Sequence, residues 1–126
     1  MTKDIHFYDK YLGTKFHEVD EDGYYSGCLY PVYLIYPNAY KFKPTDDFFN
    51  EKYIFKNVIK DGVKIDYPSN FGDVVVVKVF GQFHFFVFVE HKKYAHITKD
   101  MPLSYVNIEN ILKKRVIGCF RHKENI

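Results

Sequence analysis

Three side chains in this sequence have the types that a thiol hydrolase needs: Cys28, His84 and His96. In such a site a thiolate attacks, an imidazole takes and returns the proton, and a second polar ring holds the first in its productive tautomer. The histidines lie twelve residues apart in the most strand-like part of the chain, after a Gly72-Asp73 turn and an apolar strand, and the thiol lies far upstream. Folding must bring them together. Each residue also has a plainer reading. A cysteine at a helix start is most often a small buried residue, and a strand histidine most often a satisfied core or surface group. His6, His17, His91 and His122 have no nameable partners and read as surface, while Cys119, between Gly118 and Phe120, reads as core. Zinc-type paired spacings of His and Cys do not occur, so the expectation is no metal and no cofactor.

The elements that must position these groups can be read from periodicity. Residues 28–36 put Leu29, Val32, Tyr33 and Tyr36 on one face of a helix. Pro31 is tolerated only in a first helical turn, which sets the helix start near Cys28. A thiol there faces unpaired N–H groups and the positive end of the helix dipole, both of which lower its pKa. Further helices are expected over 5–12, stopped by Gly13, over 46–60, stopped by Asp61-Gly62, and around 107–113, with an acidic loop over 14–27. Strands are expected over 74–80, 83–89, 94–98 and 115–121. If the loop between the two histidine strands has an odd number of residues, His96 falls opposite Phe86 or Phe88 and shares a sheet face with His84. A diagonal Cβ pair is then roughly 7–8 Å apart. An even loop would separate the rings. The fold class expected is α+β, with N-terminal helices packed on a C-terminal antiparallel sheet.

A chain of 126 residues reads as one domain, 1–126. Aromatic residues at 20% of the chain argue for a packed globule and against disorder. Lys plus Arg exceed Asp plus Glu by only 18 to 16, which gives no case for a nucleic-acid partner. Two cysteines form no disulfide framework and read as free thiols. The first residues do not resemble a signal peptide, and the longest near-apolar run, 83–89, is too short to cross a membrane. Synthesis in a cytoplasm, with no membrane span, is the expectation.

Several of these residues, taken in order, resemble NlpC-type papain-like murein peptidases, notably those carried on phage tails and gene-transfer particles. The matching run is Gly72-Asp73-Val74-Val75-Val76, then Gly81 and His84-Phe85-Phe86-Val87-Phe88-Val89, then Tyr94-Ala95-His96. The stretch from Arg115 to Arg121 is similar to the family's close, Gly13-Thr14-Lys15-Phe16 to its Gly-Thr-Pro-Tyr opening, and 28–36 to its nucleophile helix. The resemblance implies a papain-like fold and a cysteine peptidase that hydrolyses amide bonds in the peptide part of peptidoglycan. It further implies Cys28 as nucleophile, His84 as base, His96 as the orienting group, a place in the virion at a tail tip, and other tail-tip proteins as partners. The sequence departs from the pattern at Gly27, Tyr30 and Phe16, where the family has Asp, Gly and Tyr. Tyr25-Ser26-Gly27 also aligns with the family's Cys-Ser-Gly, which would leave an inactive structural module. The Cys28 register is preferred because the other would put Pro31 deep inside the helix.

Overall fold

A computed structural model describes residues 4–23, 26–37, 62–79, 82–112 and 116–122. Its centre is a six-stranded antiparallel sheet in the order β1-β6-β2-β3-β4-β5. The strands are β1 (Gly62–Ile65), β2 (Val74–Val79), β3 (Gln82–Glu90), β4 (Lys93–Thr98), β5 (Met101–Val106) and β6 (Val116–His122). β2, β3 and β4 are near-continuous apolar runs, as expected of strands covered on both faces. Alternation sorts their side chains into two cores. Val74, Val76, Phe83, Phe85, Val87, Ala95 and Ile97 belong to one. Val75, Val77, Phe86, Tyr94 and Cys119 belong to the other, with Ile108.

The expected arrangement of N-terminal helices on a C-terminal sheet, and the papain-like fold with it, is overturned. Among the described residues the sheet dominates, and the N-terminal part holds one short helical stretch of nine residues besides an isolated 3-10 turn. That stretch is a 3-10 turn, Gly27–Leu29, running into α1 (Tyr30–Ile35). Residues 5–12 form turns and a single 3-10 turn, Asp9–Tyr11. The apolar spacing there is real, but long-range bonds settle the backbone. Gly13, at φ +87°, donates to the Leu103 carbonyl at 2.9 Å, and Leu103 donates back to Thr14 at 2.9 Å, docking the segment's end on β5. The helix expected over 46–60 lies outside the described residues. The C-terminal helix shortens to one turn, α2 (Glu109–Leu112).

α1 is far shorter than the ~12–15 residues a helix needs to stand alone in water, so packing holds it. Leu29, Val32, Ile35 and Tyr36 are buried against the first core. The Tyr8 hydroxyl donates to the Pro31 carbonyl at 2.6 Å, and the Tyr36 hydroxyl to the Gly72 carbonyl at 2.9 Å. Each such bond contributes about 1 kcal/mol net.

Candidate functional site

The β3–β4 hairpin turns on His91 and Lys92, with Lys92 at φ +62°. A two-residue turn in regular register would put His84 and His96 on opposite faces. The register instead shifts between Phe88 and Glu90, from Glu90 opposite Lys93 to Phe88 opposite Tyr94 and Val87 opposite Ala95. The bulge inserts the one residue that restores parity. His96 therefore comes level with Phe86, and the two rings stack at 5.3 Å between centroids and 12° between planes. His84, opposite Val77 on β2, shares the face of Phe86. The two histidines are same-face neighbours.

Burial lowers the pKa of both rings. For His84 desolvation is the cause. For His96 desolvation comes first, opposed by backbone acceptors at Ser104 and His96 and reinforced by repulsion from His84. Both imidazoles are thus held neutral near pH 7, the form that can accept a proton. The Nδ1 atom of His96 is buried and has no hydrogen-bond partner among the described residues, and neither has the Ser104 hydroxyl directly across on β5.

Cys28 is elsewhere. It sits inside the 3-10 turn that precedes α1, 8% exposed, in the core cluster of Phe83, Phe85, Ala95 and Ile97. Those residues alternate with His84, Phe86 and His96, so the thiol packs on the sheet face opposite the histidines. Its sulfur donates to the Phe83 carbonyl at 3.7 Å, one residue from His84. Tyr25, the other candidate for the nucleophile position, lies outside the described residues. Cys119 does share the histidines' face, in a row running Cys119, Val75, Phe86, His96, Ser104 across five strands. Three strand spacings, roughly 14 Å, separate it from His96. Its thiol is pushed up to about 11 by burial, with Asp73 adding to the shift, so it is protonated and inert at neutral pH.

Periodicity alone did not single out two further features. Asp73 is fully buried at the head of β2. Its carboxylate accepts from the backbone N–H of Ser69 and Asn70, each at 2.9 Å, and from Nε and Nη2 of Arg121, each at 3.0 Å. The Gly72-Asp73 signal was visible in sequence, but its chemistry is that of a clamp on the preceding turn. Ser104 was hidden because β5 was: Pro102 reads against a strand and is tolerated here because β5 is an edge. Among the described residues no group of three or more His, Cys, Asp or Glu side chains could hold a metal ion. No described helix is long and apolar enough to cross a membrane. No family model matches this chain, and no curated protein matches it.

Proposed function

We propose that this chain works by binding rather than by hydrolysis, as an interaction module at a phage tail tip or similar particle. The observation that carries the reading is the seat of Cys28. Its sulfur is packed in one core cluster with Phe83, Phe85 and Leu29 and donates to the Phe83 carbonyl at 3.7 Å. The imidazoles that would activate it face away, across the thickness of the sheet. The particle and the wall setting come from the resemblance alone.

A second reading, the cysteine peptidase itself, is favoured by a separate observation: the neutral His84 and His96 are paired on one face, a base and an orienting group without a nucleophile between them. Cys28 would have to reach that face to attack an amide carbonyl of the peptidoglycan peptide, with His84 taking the thiol proton and returning it to the amine released as the C–N bond breaks.

Two measurements separate the readings. Iodoacetamide at mildly acidic pH should label Cys28 and Cys119 equally slowly, and purified protein incubated with murein should release no peptide fragments by mass analysis. Rapid labelling of Cys28 alone, lost in His84→Ala and accompanied by released fragments, would overturn the binding reading in favour of the peptidase.

A further inference from the structure

His84 and His96 share a sheet face that offers no charge to balance a proton. His84 is half-buried and His96 is 9% exposed. The group beside them on β3 is Phe86, stacked on His96; on β2 it is Val77, opposite His84; on β5 it is Ser104, opposite His96. His96 feels its own backbone, that of Ser104 and the ring of His84, and burial acts alone on His84. Among the described residues no carboxylate acts on either ring. A first proton on this face therefore has no counter-charge, and a second meets the charge of the first.

The element beside the pair with the fewest sheet partners is β5. It is an edge strand, paired in the sheet with β4 alone, and Pro102 can donate no ladder bond. The β4–β5 ladder is already irregular between His96 and Thr98. On its outer side β5 is tethered: Gly13 donates to the Leu103 carbonyl and Leu103 to the Thr14 carbonyl, each at 2.9 Å. The Tyr105 hydroxyl donates to Asp9 at 2.6 Å, His6 lies 3.1 Å from the other Asp9 oxygen, and the Lys93 ammonium sits 4.2 Å above the Tyr105 ring. Tyr105 alternates with Ser104, so its charged contacts lie on the face away from the histidines.

We propose that His84 and His96 form an acid-operated latch on this edge: neutral, they leave β5 seated against β4; protonated, they part the two strands and let water reach the rings. The Leu103 bonds tether the released strand, so the opening is local and reversible, and it bares the outer ladder of β4. Once open, each ring takes up a proton near its ordinary value of about 6.5. The open fraction therefore rises as pH falls, at most roughly a hundredfold from pH 7.5 to 5.5 for two rings. The latch uses no part of the thiol geometry, so the labelling result for Cys28 and the outcome here are independent.

The test is amide hydrogen exchange on the whole chain, read residue by residue by NMR, with the intrinsic pH dependence of exchange divided out. From pH 7.5 to 5.5 the β5 amides bonded to β4 should lose protection roughly tenfold or more, through an opening that about 1 M urea barely accelerates. Amides of β2 and β6 should exchange only through the urea-sensitive global opening. His84→Gln, at the half-buried ring, should fold and cut the β5 loss by up to roughly tenfold, the share of one titrating group. His84→Gln combined with His96→Gln should make β5 protection independent of pH. Asp9→Asn removes the other titrating contact of β5 and should leave the fall in place. Equal β5 protection at the two pH values, β5 exchange in step with β2, a fall undiminished in His84→Gln, or a fall abolished by Asp9→Asn would overturn the proposal.

Discussion

Replacing Arg121 with Met leaves a charge stranded inside the fold, and the cost can be worked from the bonds it breaks. The Asp73 carboxylate is wholly buried and accepts four hydrogen bonds, two of them from the Arg121 fork at 3.0 Å each. The same Nη2 also donates to the Ser69 hydroxyl at 2.9 Å, so one guanidinium ties β6 to both the head of β2 and the turn before it. Arg121→Met keeps much of the side-chain volume but leaves the carboxylate with two backbone donors. Removing one partner of a buried pair costs ~3–5 kcal/mol. Because the Arg121 side chain is 22% exposed, water can enter the gap, which places the expected loss at the low end, ~3 kcal/mol. For a domain of this size that lowers Tm by roughly 10–15 °C. Urea unfolding with linear extrapolation reads the loss directly, with an unchanged m-value showing that the end states are the same. Asp73→Asn combined with Arg121→Met should be less destabilised than the sum of the single changes, with a coupling of ~2 kcal/mol. A loss below ~1 kcal/mol for Arg121→Met, the value of an exposed pair, would refute the clamp.

Two other outcomes follow from the same packing. The pKa values of His84 and His96 are depressed in the folded chain. Below an unfolded value of about 6.5 the unfolded state therefore takes up protons that the folded state refuses. Stability should be complete above that pH and fall as pH drops from 7.5 to 5.5, by at most ~1.4 kcal/mol per unit per group. Urea curves across that range should show the fall, and His96→Phe should flatten it; a pH-independent midpoint would contradict the burial of the two rings. In Gly62→Ala the new Cβ would lie 2.8 Å from the Arg121 carbonyl oxygen, a backbone atom that cannot turn aside. The expected cost is ~1–3 kcal/mol, with β1 amides losing hydrogen-exchange protection before those of β2 and β3. Undiminished β1 protection would show that the β1–β6 pairing is looser than it looks.

The central strands were legible because each carries its own signal. Val74 to Val77 and Phe83 to Val89 are β-branched or aromatic almost without interruption, and the turn that follows, His91 and Lys92, is polar. The edges were not legible. β1 has Lys64 on an exposed side and β5 contains Pro102, features that sheets tolerate only at their margins, and that sequence rules read as loop. The opening segment misled for a different reason. Ile5, Tyr8 and Leu12 do stand at helical spacing, but the hydroxyl of Tyr8 is committed to Pro31 and the backbone of Gly13 to Leu103, and neither partner is local.

The candidate site divides along the same line. Sequence by itself determined that His84 and His96 belong to consecutive strands and that Cys28 lies in the helical turn leading into α1, because side-chain type and the position of Pro31 are local facts. It could not determine the faces. Side chains alternate with period two, so one bulged residue between Phe88 and Glu90 decides whether the two imidazoles meet, and no rule of composition announces a bulge. The thiol depended on still less local information. Which side of the sheet receives the Cys28 turn is set by the combined burial of Leu29, Val32, Ile35 and Tyr36 against Val74, Phe85 and Ala95, contacts between residues some forty to sixty positions apart. That choice, made by packing, put the sulfur and the histidines on opposite faces of one sheet.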